Sequence, residues 1–279
     1  TVRYINLPTS SYMSYITEAI NKWGKCRTGA ITMYGAGVGV YGNSGYAYTG
    51  STPSKLKKRI EEANSSNAEI TDINITENGN YVIILGGSGY WTLGYPDAFL
   101  KKLEQYRTGD LRDDNILSAC FNDRGEWVVI TDKHYSYSNE TIKNFILKAE
   151  ELYEEVYYAY ITNYGMIACC KNGVYYKNIP SNLAEALKKL TFKPKVIKFT
   201  DNGLYLITDG ESQNYYFRFS SVRLNRLRNK LLANYLKSGG NELATVRISA
   251  FCVAMLSNNS FICKYSIFFR KYELSAAVL

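Results

Sequence analysis

Apolar residues along this chain follow two alternating rhythms. One places them at i, i+3/i+4 and i+7, which predicts helices with one buried face. It runs through Tyr12, Tyr15, Ile16, Ile20 and Trp23; Leu56 and Ile60; Phe99, Leu100, Leu103 and Tyr106; Ile142, Phe145, Ile146, Ala149 and Leu152; Leu183, Leu187 and Leu190; and Leu224, Leu227, Leu231 and Tyr235. Pro8, Pro53, Pro96 and Pro180 each stand just before such a stretch, where a missing N–H would be unpaired anyway. The other rhythm is a short apolar or alternating run bounded by turn residues, which predicts strands. First strands are expected at 70–76, 116–122, 156–162 and 196–200. Turns follow at Asn78-Gly79, Arg124-Gly125, Tyr164-Gly165 and Asn202-Gly203, and second strands open at Tyr81, Trp127, Met166 and Tyr205. A third short strand starts at a Gly-aromatic step, seen at Gly45-Tyr46 and Gly89-Tyr90 and in looser form at His134-Tyr135, Gly173-Val174, Asn214-Tyr215 and Ser260-Phe261.

The unit is therefore β-β-β-α, and it recurs every roughly 39 to 46 residues, a period typical of repeat architectures. Stacked modules form one continuous core without internal boundaries. The expected fold is α+β, a tandem repeat of about six such modules. Residues 1–221 form the array, and 222–279 form a degenerate C-terminal cap repeat or an aberrant gene end. The first module is a looser copy, with a first strand over 31–34 and its turn in Gly35–Gly39. In the sixth, 244–250 supplies the first strand and 251–256 the next, with no Gly turn between them. Both chain ends read as the same third strand, which favours an open curved solenoid over the alternative, a closed propeller-like ring.

The turn-strand segments Asn78-Gly79-Asn80-Tyr81-Val82-Ile83, Arg124-Gly125-Glu126-Trp127-Val128-Val129 and Asn202-Gly203-Leu204-Tyr205-Leu206-Ile207 carry a resemblance. They are similar to the "G-x-aromatic-V-V/I" tandem repeats of some bacterial proteins, over residues 1–221. Such arrays vary in repeat number and often accompany hydrolase-like domains. The resemblance implies a recognition or scaffold array and names no ligand.

Charge changes the picture little. The net charge is +8, but 222–279 hold nine basic and two acidic residues against 24 and 23 in 1–221. The array body is nearly neutral, so nucleic acid is not an expected partner. Arg223, Arg226, Arg228, Lys230 and Lys237 are read as a solvated helix face. No apolar run reaches the ~20 residues that span a bilayer, so a cytoplasmic or secreted protein is expected. Cys26, Cys120, Cys169, Cys170, Cys252 and Cys263 lack metal or disulfide spacing and read as buried thiols. With one histidine, His134, and scattered cysteines, neither a metal nor a cofactor is expected. The glycines of Gly35–Gly42 lie between strands, which separates them from a phosphate-binding loop ahead of a helix.

The third strands supply the candidate binding residues. Their flanking positions are uniformly aromatic or apolar and read as core. The position between them varies as Ala47, Trp91, Ser136, Tyr175 and Tyr216. Repeat proteins keep packing positions uniform and vary the surface that binds. Trp91, Tyr175 and Tyr216 are therefore candidates for stacking on a sugar or anchoring a protein. The expected function is a non-catalytic scaffold binding protein or glycan. The alternative is a pentein-like hydrolase, of the guanidine-modifying type, with His134, a cysteine among Cys169, Cys170 and Cys252, and a carboxylate gathered in one cleft.

Overall fold

A computed structural model of the chain describes residues 26–33, 35–48, 51–210, 215–218, 244–247 and 268–271. The first module holds β1 (Cys26–Ile31), β2 (Gly37–Tyr41), β3 (Gly45–Tyr48) and helix α1 (Ser54–Ser65). The second holds β4 (Ile70–Ile75), β5 (Tyr81–Leu85), β6 (Gly89–Leu93) and α2 (Asp97–Arg107). The third holds β7 (Ile116–Phe121), β8 (Trp127–Thr131), β9 (Tyr135–Tyr137) and α3 (Glu140–Tyr153). The fourth holds β10 (Val156–Ile161), β11 (Met166–Cys170), β12 (Gly173–Lys177) and α4 (Ser181–Lys188). The fifth contributes β13 (Val196–Phe199), β14 (Tyr205–Thr208) and β15 (Tyr215–Arg218). Each module's strands form one antiparallel three-stranded meander, and no sheet closes on itself.

The repetition extends to irregularities. The register of the first strand on the second slips after Cys26, Ile70, Ile116 and Val156, so four modules bulge at the same position. A bulge re-aims the residues that follow it. Here it sets Thr28, Asp72, Ser118 and Tyr158 on one face with the residues two further on. The hairpin turns are closed alike. The Thr32 hydroxyl accepts from Ala36 N–H, Asn122 Oδ1 from Arg124 and Glu126 N–H, Thr162 from Gly165 N–H and Thr200 from Leu204 N–H. Gly79, at φ 82°, takes the left-handed conformation that such a turn requires.

Each helix fills the wedge between two sheets. Leu56, Ile60 and Ala63 of α1 pack in one cluster with Val38 and Val40 of the first sheet and Ile73 and Ile83 of the second. Phe99, Leu103 and Tyr106 of α2 join Val82 and Ile84 to Phe121, Trp127 and Val129. Ile142, Phe145, Ile146 and Ala149 of α3 join Val128 and Ile130 to the fourth sheet, and this cluster runs on through Leu183 to Ile197, Phe199 and Ile207. A half-polar helix alone would be marginal, and burial of this one stripe secures it. The first strands also touch in order: β1 packs on β4, β4 on β7, β7 on β10 and β10 on β13, and both β13 and β14 pack on β1.

The chain divides into two compact units, and the five sheets belong to the first. In the second, β16 (Ala244–Arg247) pairs antiparallel with β17 (Phe268–Lys271). A strand thus covers part of the expected 244–250, with 268–271 as its partner, while 251–256 and the expected helices from Tyr12 and Leu224 lie outside the described residues. Among the described residues no helix is long and apolar enough to cross a membrane.

One strand differs from its expected place. The first module's opening strand is Cys26–Ile31, not 31–34, and Gly37 and Gly39 lie within β2 rather than in the turn. Its polar and glycine-bearing sequence hides it from a hydrophobic reading. Gly29 serves close approach instead: a Cβ there would stand 2.5 Å from the Val38 carbonyl oxygen and 2.8 Å from Leu206 Cδ2 of β14. Gly29→Ala should cost about 1–3 kcal/mol through this overlap. Urea denaturation monitored by tyrosine and tryptophan fluorescence will show it. An unchanged midpoint would mean that the β1–β14 contact is not held this tightly.

Candidate functional site

The first strands present their polar side chains to one another, because pleat alternation puts every second residue on the shared face. Along this face Thr28 and Ala30 of β1 correspond to Asp72 and Asn74 of β4, Ser118 and Cys120 of β7, Tyr158 and Tyr160 of β10, and Val196 and Lys198 of β13. Lys198 is fully buried and donates to Asp72 Oδ1 at 2.8 Å, with the Asp72 side chain 1% exposed. It also donates to Asn74 Oδ1 and lies 5.1 Å from both the Tyr158 and Tyr160 ring centroids. Asp72 accepts further from the Thr28 hydroxyl at 3.1 Å, Asn74 Nδ2 at 2.9 Å and Ala119 N–H at 3.3 Å. Asn74 Nδ2 reaches the Ala119 carbonyl at 2.6 Å, and Ser118 Oγ accepts from Ala159 N–H at 3.1 Å. Burial pulls the Lys198 amine below its ordinary range, opposed by Asp72. Burial also pushes the Cys120 thiol up to about 12, with Lys198 acting the other way. An amine, a carboxylate, a thiol and two phenols meet here, residue types that often mark chemistry. All are sealed, and their bonds go to each other and to neighbouring modules.

Beyond this core the five hairpin turns gather at one end of the shared face. Their leading residues are Met33, Glu77, Asp123, Asn163 and Asp201. Glu77 accepts from Met33 N–H at 2.8 Å, and Asp201 from the Thr162 hydroxyl at 2.5 Å, each reaching back to the preceding module. Desolvation pushes the Glu77 carboxyl up to about 7, and the Asp123 and Asp201 charges add to it. Asp201 is likewise raised by desolvation, against the Thr162 hydrogen bond and Arg124. Thr76 Oγ1, Asp123 Oδ1 and Asn163 Oδ1 are shut off from solvent and have no hydrogen-bond partner. At the turn tips, Asn78, Arg124, Tyr164 and Asn202 are exposed. Tyr164 is 67% exposed, and the Arg124 guanidinium lies over its ring at 4.6 Å.

The third-strand aromatics lie between two helices. The varied position faces the helix of the preceding module. Arg59 of α1 covers the half-buried Trp91 at 5.3 Å, the Tyr106 hydroxyl of α2 meets Ser136 Oγ at 2.7 Å, and Phe145 of α3 packs on the half-buried Tyr175 at 5.1 Å. The Tyr216 side chain lies outside the described residues. The flanking face meets the helix that follows. Tyr48 donates to Glu61, Tyr90 to Glu104 and Tyr135 to Glu150. The Glu61 hydrogen bond, with lesser burial, pushes the Tyr48 phenol up to about 12. The structure therefore does not bring Trp91 and Tyr175 together in one cleft; each is tied into its own module junction.

His134 sits on the β8–β9 turn, with its ring half-exposed and Nδ1 2.6 Å from Oδ2 of the buried Asp114. Thr131 Oγ1 donates to the same oxygen at 3.1 Å. Cys120 points to the Ala159 carbonyl, and Cys170 to that of Ala149. Cys120, Cys169 and Cys170 are all buried, and burial raises each thiol. Among the described residues no three His, Cys, Asp or Glu side chains gather to hold a metal ion. The residues sequence reasoning passed over are Asp72, Asn74 and Lys198. Their signal was present: a lysine inside Val-Ile-Lys-Phe, and two polar residues alternating within Ile70–Ile75. Comparison with protein-family models, curated proteins and solved structures found no match for this chain.

Removing Lys198 strands a buried carboxylate, so Lys198→Ala should cost about 3–5 kcal/mol, whereas Lys198→Met with Asp72→Leu should recover much of it. Equal losses in both variants would show that the pair is not a coupled unit. Trp91→Ala should cost about 3 kcal/mol if its contacts are packing, read as a lowered urea midpoint. For Glu77 the sign is set by a folded-state pKa above the ordinary 4.5. The folded state holds this proton more tightly than the unfolded chain. Its contribution is complete below about pH 4.5 and is lost as pH rises to about 7. Solvent screening keeps the effect on the order of 1 kcal/mol. Glu77→Gln should flatten the stability profile between pH 5 and 8; an unchanged slope would place the titration elsewhere.

Proposed function

We propose that this chain is a non-catalytic repeat scaffold whose modules close as a ring around their first strands, and that it binds a protein or glycan at the hairpin-turn end. Closure, rather than an open solenoid, is supported by the packing of β13 and β14 on β1 and by Lys198 reaching Asp72. The observation that carries the binding reading is the contrast within the turns. The residue that closes each turn is Thr32, Thr76, Asn122, Thr162 or Thr200, and a glycine always follows three positions on. The exposed tip between them is Asn78, Arg124, Tyr164 or Asn202. Packing holds the first set constant, while the second varies in residue type; Asn202 accepts from the Thr200 hydroxyl at 2.5 Å, and Arg124 lies over Tyr164. An exposed tyrosine pre-stacked by an arginine is a surface that costs little entropy to bind. Trp91 and Tyr175, half-covered by helices, are secondary contributors on this reading.

The packing of β13 and β14 on β1 also supports a second reading, a pentein-like hydrolase with Cys, His and carboxylate chemistry. The sealed, raised thiols of Cys120, Cys169 and Cys170 weigh against it, since the thiolate is the reactive form.

A glycan array and a peptide panel, each run with wild type and Tyr164→Ala, test the scaffold reading. Tyr164 is an exposed turn residue, so the variant should fold with a stability change within about 0.5 kcal/mol. Binding to the ligand found should fall at least tenfold. A ligand retained by Tyr164→Ala and lost by a folded Trp91→Ala would move the site to the third strands.

A further inference from the structure

We infer that the hairpin-turn end of the first-strand core takes up a cationic nitrogen group of a partner, the side-chain ammonium or guanidinium of a basic peptide. This deepens, and rests on, the scaffold reading above.

Three kinds of observation converge on it. The first is an unsatisfied acceptor set. Thr76 is 7% exposed, and its hydroxyl has no hydrogen-bond partner. It lies two residues beyond Asn74 and four beyond Asp72, so pleat alternation aims it along their shared face at the turn end. Asp123 Oδ1 and Asn163 Oδ1, in the adjoining turns, are also enclosed and unpartnered. A buried polar atom left unpaired is costly, so a ligand that pairs it is favoured. The second is charge. Glu77 feels Asp123 and Asp201 through a desolvated medium, so three carboxylates share one end of the core. Arg124 acts on Asp201, but its guanidinium lies over Tyr164.

The third is the shape of the chemistry. The available atoms are oxygens: carboxylate, amide carbonyl and hydroxyl. Oxygen acceptors with net negative charge suit either a hard metal ion or a multi-donor nitrogen cation. A bare ion needs its ligands within about 2.6 Å of one point. Among the described residues no three acidic, histidine or cysteine side chains gather in that way. A primary ammonium with three N–H donors, or a guanidinium with five, spans such a spread set. Tyr164, exposed beside this end, offers its ring to the aliphatic stem of the same residue.

The test is fluorescence anisotropy on the full chain with labelled hexalysine, hexaarginine and hexaglutamate. The chain carries a net charge of +8, so bulk electrostatics repel the first two. Saturable binding of a basic peptide, weakened at least tenfold by Glu77→Gln with Asp201→Asn and several-fold by Thr76→Val, is the expected result. Circular dichroism and urea midpoints confirm that the variants fold. Basic-peptide binding unchanged in the double variant would overturn the inference. Calcium chloride alone displacing the peptide at micromolar concentration would overturn it in favour of a metal site. A glycan bound by wild type and lost in Tyr164→Ala, with no peptide bound, would overturn it and leave the scaffold reading standing. No ligand on either panel would overturn both.

Discussion

The ion pair of Lys198 with Asp72 joins the fifth module to the second through the polar core. In an apolar interior neither charge survives alone, since an unpaired buried charge costs several kcal/mol. The fifth module must therefore lie where Lys198 finds Asp72 and Asn74, with its ammonium over the Tyr158 and Tyr160 rings. The pair contributes less to net stability than to arrangement. Modules this alike invite wrong pairings, a recurrent failure of repeat proteins. The equivalent central positions are Ala30, Asn74, Cys120, Tyr160 and Lys198. They differ in volume and charge, so each module fits one place in the order.

The helices solve a second problem. Short meander sheets expose edges and leave wedges between them. One helix per junction covers the wedge, and the third-strand tyrosines lock it by donating to Glu61, Glu104 and Glu150. The same strand turns its other face to the helix before. A third strand is thus gripped from both sides, and its aromatics contribute to cohesion. Surface variety is then left to the hairpin tips, which the core positions but does not touch.

Most of the module plan was legible in the sequence, because it rests on local signals. Gly79, Gly125 and Gly203 mark turns through their positive φ, and the apolar stripes mark helices. First strands at Ile70, Ile116, Val156 and Val196 begin where the apolar runs begin. The first module's strand was not legible, since Cys26-Arg27-Thr28-Gly29 carries no apolar pattern. Its glycine answers to Leu206, far away in sequence. Trp91 and Tyr175 stand at the varied position as expected, but alternation along a strand cannot say which helix covers a face. Arg59 and Phe145, supplied by preceding modules, do so. The lysine inside Val-Ile-Lys-Phe was visible as an oddity, but its partners were not, since they are 126 and 124 residues away.

The turn end shows the complementary constraint. A carboxylate at the tip of a strand in a single hairpin would be fully solvated and chemically plain. Gathering several such hairpins side by side brings the charges of Asp123 and Asp201 to bear on Glu77 and withdraws water from Glu77 and Asp201. Neither effect exists in any one module, and both arise from assembly. A feature made by assembly is sensitive to it: loosening the core at Lys198 lets water return to the turn carboxylates. The raised proton affinity of Glu77 and Asp201 then reports on the integrity of the core, linking the buried ion pair to the hairpin-turn end.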